Sequence, residues 1–141
     1  MGQINTSGVL KGGLAAAVIM NISEFILNVP VAGAQMEAEL AARNLPPADS
    51  GAQIAVFVVL TALLGFVTIF VYAAIRPRLG PGPKTAMAAG LMVWATSYLY
   101  SAITAGTIGL HSMGVVVLII VWSLAEILVA SAVGGYLYNE S

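Results

Sequence analysis

No cysteine occurs among the 141 residues, which excludes disulfides, thiolate metal ligands and thiol catalysis at once and leaves the redox compartment open. Charge is almost as scarce, with five Lys or Arg, six Asp or Glu and a net charge of −1. So few basic residues form no patch that would hold nucleic acid. The single histidine, His111, has no second nitrogen ligand to share a metal with. No residue set has the form of a catalytic signature, and neither an enzymatic activity nor a cofactor or metal is expected.

What the chain has in abundance is apolar sequence: 60% of its residues are hydrophobic and the mean hydropathy is +0.97. A water-soluble globule of this size has no interior large enough to hide them, so the expected partner is the lipid bilayer. Four runs stand out, at about 8–31, 53–75, 85–108 and 113–137. Each is long enough to cross an apolar core of roughly 30 Å at about 1.5 Å per residue. Every backbone amide must be satisfied internally there, and the runs lack the alternation of barrel strands. The expected fold is all-α: one domain, an integral four-helix bundle.

Lys and Arg near helix ends are retained on the cytoplasmic side. Arg76, Arg78 and Lys84 fall between the second and third runs, Lys11 lies near the start of the first, and only Arg43 lies on the opposite side. Both termini are therefore expected in the cytoplasm, with Tyr72, Tyr136 and Tyr138 at the same interface. The outer loop, 32–50, has helix-forming residues from Gln35 to Asn44 and then Pro46-Pro47, which predicts a short helix stopped by the prolines. Its Met36 and Leu40 give it an apolar edge for a membrane or a partner, with a solvated cap as the alternative. The cytoplasmic loop, 76–84, is rich in Pro and Gly and is expected to stop both flanking helices.

Several short motifs carry little. Ala32-Gly33-Ala34 has the small-x-small form of a signal cleavage site, but Asn21, Glu24 and Asn28 make the preceding run too polar for a signal core, so retention of the segment is expected. Gly2 with Thr6 fits a myristoylation pattern and Asn5-Thr6-Ser7 a glycosylation sequon, both of which require a eukaryotic cell. Ser23-Glu24-Phe25-Ile26-Leu27 parallels Ala125-Glu126-Ile127-Leu128-Val129, yet the two lie at non-equivalent places in the two hairpins, unlike a simple repeat.

Glu24 and Glu126 are the informative residues. A carboxylate at mid-membrane costs roughly 2.5–3.5 kcal/mol on insertion scales, and no Lys or Arg lies deep in any run to offset it. Asn21, Glu24 and Asn28 follow at i, i+3 and i+7 and share a face expected to point into the bundle. Pro30 predicts a bend near Asn28. Ser97 and Ser101 on the third helix are candidates to supply further oxygens, which makes a proton or cation pocket of Glu24, Glu126, Asn21, Asn28, Ser97 and Ser101. On the alternative reading these polar stripes only pack helices together, with a neutral carboxyl as one more donor and acceptor. Trp94 and Trp122, too deep for an interfacial belt, are expected to pack or to meet a lipid or pigment. Gly13, Ala17, Ala130 and Gly134 form small-residue strips suited to close helix contact, including contact with another subunit.

Gly90-Leu91-Met92-Val93-Trp94 at the third run and Ala132-Val133-Gly134-Gly135-Tyr136 at the fourth give the chain a layout that resembles small four-helix membrane proteins of bacteria grouped as domains of unknown function. The resemblance implies a bacterial inner membrane and no activity. Glu24 in the first of four helices also resembles the small multidrug resistance transporters, but their Pro-Thr-Gly and Trp-Ser-Gly motifs are absent and membership is not expected. The expected role is a multi-pass accessory or structural subunit, either in a homo-oligomer or in a larger membrane complex. The alternative is a proton- or cation-coupled carrier or channel built on Glu24 and Glu126.

Overall fold

The structure is a computed structural model that describes residues 4–138. The Gly2 of the myristoylation pattern and the outermost residues of both termini lie outside them. The described residues are helical with no strand, and four helices are long and apolar enough to cross a membrane: α1 (Thr6–Val31), α3 (Gly51–Leu79), α4 (Pro83–Thr107) and α5 (Met113–Leu137). A short α2 (Gly33–Ala41) lies between the first two. The long helices form a ring in which α1 packs on α3 and α5, and α4 packs on the same two. Both ends of the described chain lie together, since the Tyr138 hydroxyl accepts from the Asn5 backbone N–H at 3.1 Å.

Local chemistry sets the helix starts. Asn5 caps α1 by accepting from the Gly8 N–H, and Ser112 caps α5 by accepting from Val115. Ser50 and Gln53 form a reciprocal capping box at α3. The predicted bend at Pro30 takes the form of a widened π-turn over Leu27–Val31. Pro30 has no N–H for the carbonyl of Ile26 and would clash with it in an α-helix. The wider turn bonds the Ala32 N–H to the Leu27 carbonyl at 2.8 Å instead.

No helix crosses the Arg76–Lys84 segment, but the loop is shorter than expected: α3 continues through Pro77 to Leu79 and α4 starts at Pro83. Pro77 forfeits one ladder bond, and the helix ends two residues later at Leu79, capped by Gly80, whose φ of 83° suits glycine. The Arg76 guanidinium lies 5.4 Å from the centre of the Tyr138 ring, and Tyr72 meets that ring edge-on at 5.7 Å. Of the three expected interfacial tyrosines, Tyr72 and Tyr138 are buried in this cluster and only Tyr136 is exposed.

At this end of the bundle the helices approach closely through small residues. A Cβ added to Gly134 would stand 2.5 Å from Ile69 Cδ1 and 2.7 Å from the Gly12 carbonyl oxygen. One added to Gly65 would stand 2.6 Å from the Ala17 backbone nitrogen, and Gly13 faces the Phe66 ring. Ala17 and Ala130 are buried. The strips named as possible contacts with another subunit are thus used inside the chain, because α1 needs them to approach α3 and α5.

The opposite end is looser. Every residue from Gly51 to Leu60 in α3 is exposed, so this part of the helix is not covered by its neighbours. α2 is fastened across the turn between α4 and α5. Glu39 accepts from the Ser112 backbone N–H at 3.2 Å and meets His111 Nδ1 at 3.0 Å, while Arg43 bonds the Gly109 carbonyl. The 32–50 connection is therefore tied down by its own chain at Glu39 and Arg43. His111 serves as a half-buried hydrogen-bonding residue of this fastening.

Candidate functional site

Glu24 on α1 and Glu126 on α5 meet inside the bundle around a third residue, Tyr98 of α4. The Tyr98 hydroxyl donates to Glu126 Oε1 at 2.9 Å, and the Glu24 carboxyl stands beside the same hydroxyl. α1 and α5 run antiparallel: Gly12 lies against Gly134 at one end, and Trp122 Nε1 donates to Ser23 Oγ at 2.9 Å further along. That register brings the two similar Glu-bearing segments to one level.

Each carboxyl has its own support. Asn28 Nδ2 donates to Glu24 Oε2 at 2.7 Å and to the Glu24 backbone carbonyl at 2.9 Å, which fixes the Glu24 side chain from the adjacent turn. Glu126 is only 5% exposed. Its Oε1 is held by Tyr98, whereas Oε2 is buried with no hydrogen-bond partner; the Ser23 hydroxyl lies close to this carboxyl. Leaving a buried oxygen unpaired costs about 1–3 kcal/mol, and more where it carries charge. Such a group calls for an explanation.

The predicted pocket is corrected in three respects. The face of Asn21, Glu24 and Asn28 continues the strip by which Gly13 and Ala17 meet α3, but Asn28 is exposed and Asn21 and Glu24 only partly buried. The face therefore points only partly into the bundle. Asn21 turns back to the Ala17 carbonyl at 2.9 Å and does not reach the carboxyls. Ser97 and Ser101 also bond within their own helix, to the Val93 carbonyl at 2.6 Å and the Tyr98 carbonyl at 3.1 Å.

The reason is a second π-turn, Ala95–Leu99. One extra residue rotates the helix beyond it by about 100° relative to an α-periodic stripe. An α-periodic stripe running from Gly90 through Trp94 to Ser97 and Ser101 is thereby broken, and the Tyr98 hydroxyl reaches Glu126. Hydroxyls of Thr96 and Ser97 bond carbonyls in the loosened turn, which satisfies groups that apolar surroundings cannot. Tyr98 is the residue sequence reasoning missed, and its one signal is a phenol at mid-span, where belt tyrosines are not found. Trp94 donates to Ser123 Oγ at 3.1 Å and packs α4 on α5.

Two carboxyls beside one phenol hydroxyl, which here donates to Glu126, can exchange a proton through it without forming a tyrosinate. A protonated Glu24 gives its proton to the Tyr98 oxygen as Tyr98 gives its own to ionised Glu126; the negative charge moves the other way. Either carboxylate can equally face a cation. Among the described residues no cluster of three or more metal-ligating side chains exists.

Comparison with families of proteins, with curated proteins and with solved structures returned no match.

Proposed function

We propose that this chain is a multi-pass protein of a bacterial inner membrane, with both termini in the cytoplasm, that exchanges protons for cations through Glu24 and Glu126. The observation that carries this reading is the Tyr98 hydroxyl bonded to Glu126, with the Glu24 carboxyl of another helix beside it. Ionisable residues within membrane spans are costly and mark ion pathways. Packing alone has no need of two carboxyls meeting at one hydroxyl, because Ser or Gln would supply the same hydrogen bonds at lower cost. In proteoliposomes with an acidic interior and an enclosed pH dye, the protein is expected to discharge the gradient when Na⁺, K⁺ or a quaternary ammonium ion is added outside. Glu24→Gln and Glu126→Gln should abolish the discharge. Wild-type liposomes no faster than empty ones with every cation would refute the reading.

The orientation rests on Arg76, Arg78 and Lys84. Because the chain has no native thiol, a cysteine at Asp49 should react with an impermeant maleimide from outside the cell and one at Gly82 only after permeabilisation. The reverse pattern would invert the topology.

A second reading, a structural or accessory subunit, is favoured by the uncovered first ten residues of α3, where Ile54, Phe57 and Leu60 are all about half exposed. Native mass spectrometry after mild extraction distinguishes the two readings. Foreign subunits support the accessory role, and a monomer or defined homo-oligomer the carrier.

A further inference from the structure

Most hydroxyls within the spans bond their own helix. Those of Thr68, Thr96, Ser97, Ser123 and Ser131 each donate to a carbonyl about one turn back. Ser23 on α1 is different. Its oxygen accepts the Trp122 indole N–H at 2.9 Å, and its own proton goes to no carbonyl of α1. An indole nitrogen only donates, so this contact occupies one lone pair of the hydroxyl and leaves the proton uncommitted. Ser23, Trp122 and Glu126 lie side by side between α1 and α5, and the serine hydroxyl stands beside the Glu126 carboxyl. Glu126 Oε2 is buried there with no hydrogen-bond partner. A donor without an acceptor thus adjoins an acceptor without a donor.

We propose that Ser23 is a positioning residue for Glu126: turned by Trp122, its hydroxyl donates to Oε2 and so leaves Oε1, the oxygen bonded to Tyr98, as the one that takes the proton. The serine serves both states of the carboxyl. While Glu126 is ionised, Ser23 and Tyr98 each donate to one of its oxygens, from α1 and from α4. When the proton arrives through Tyr98 it sits on Oε1, and Oε2 becomes the carbonyl oxygen, which still accepts from Ser23. Gain or loss of the proton then strands no buried oxygen. The indole holds the arrangement by taking one lone pair, which limits where the serine proton can point; freed of it, the hydroxyl can turn back to the Ile19 carbonyl as its counterparts do. The hydrogen bond is independent of the exchange reading, but its use in guiding the proton to Tyr98 rests on that reading.

The test is infrared spectroscopy of the full-length protein in lipid bilayers at acid pH, where the difference between wild type and Glu126→Gln isolates the carbonyl band of protonated Glu126. Ser23→Ala is expected to move that band to higher wavenumber, because a carbonyl that loses its donor stiffens. Ser23→Thr keeps a hydroxyl and should leave the band in place, and Trp122→Phe should move it less far in the same direction. Discharge of the proteoliposome gradient should slow severalfold in Ser23→Ala and recover in Ser23→Thr. A band that stays put in Ser23→Ala would overturn the inference even if the variant melts lower, since lower melting alone is what a serine that only ties α1 to α5 predicts. Should Ser23→Ala fail to assemble, Trp122→Phe decides, and an unmoved band there overturns the inference as well. The parent reading fails separately. If the band moves but no cation discharges the gradient in wild type, the hydrogen bond stands and the exchange reading falls. If the gradient discharges and the band does not move, exchange stands and the role of Ser23 falls.

Discussion

The two ends of this bundle are built on opposite principles. Where the termini meet, glycines and alanines bring α1, α3 and α5 nearly into backbone contact, and the Tyr72–Tyr138 pair closes the end. Toward the other end α1 and α4 each contain a π-turn, and α3 is uncovered over its first ten residues. In lipid there is no hydrophobic drive between helices, so tight packing requires small residues. Where they give out, polar side chains take over the contacts, and the bundle can hold groups that a close-packed core excludes. Rigidity and ionisable chemistry are thus divided along the helix axis.

The largest expected effect comes from attacking the packed end. Gly134→Leu drives a side chain into Ile69 and the Gly12 carbonyl, and should cost the upper part of the roughly 1–3 kcal/mol typical of overpacking, or prevent assembly of the fold. Gly114, beside which a Cβ would meet nothing within 4 Å, should accept alanine without loss. Thermal unfolding in detergent measures both, and equal tolerance at the two glycines would erase the contrast between the ends.

The next effect probes the polar end. Tyr98→Phe removes the hydroxyl that bonds Glu126, and a double-mutant cycle with Glu126→Leu, which removes the accepting oxygen, should give a coupling of about 0.6–1.5 kcal/mol. A coupling near zero would mean that the bond does not hold the site together. Tyr98→Phe should also slow proton exchange between the carboxyls while leaving both in place.

Much of this contrast can be read directly from the sequence. The four spans, the small-residue strips and the bend at Pro30 follow from apolar run length, glycine spacing and the missing proline N–H, which are local properties. The meeting of Glu24 and Glu126 follows less directly, from matching depth and the lack of basic partners. What stays hidden is Tyr98. Its orientation depends on the extra residue in the Ala95–Leu99 turn, and helical periodicity, which assumes a constant angle per residue, assigns Ser97 and Ser101 to that face instead. The uncovered stretch of α3 is hidden for a related reason, since a uniformly apolar helix does not say which neighbour it lacks.

A smaller effect concerns the fastening of α2. The Ser112 and His111 groups hold the Glu39 carboxyl below its ordinary value of 4.5. A carboxyl lowered on folding contributes stability above its unfolded value and loses it as pH falls through the folded one. The melting difference between wild type and Glu39→Gln should therefore be full at neutral pH and vanish well below pH 4.5. Hydrogen exchange of residues 33–45 should rise in the same acid range. No difference at neutral pH would assign the fastening to Arg43 alone, and one that persists into strong acid would mean that the ionised carboxylate is not what holds α2.

The smallest expected change is Ser97→Ala, whose hydroxyl bonds only its own helix. It should alter stability by less than about 0.5 kcal/mol and leave cation exchange intact. A lost exchange activity would return Ser97 to the site and shift the boundary between the two ends.

The uncovered end of α3 links the site to the thickness of the membrane around it. With 29 residues this helix is roughly 44 Å long, against an apolar slab of about 30 Å. A rod longer than the slab must tilt or project, and the response falls on the part with least to hold it, here Gly51 to Leu60. The packing of α3 against α1 should then tighten or loosen with acyl-chain length. A membrane's thickness would act as a setting on this protein, reached through the helix least covered by its neighbours.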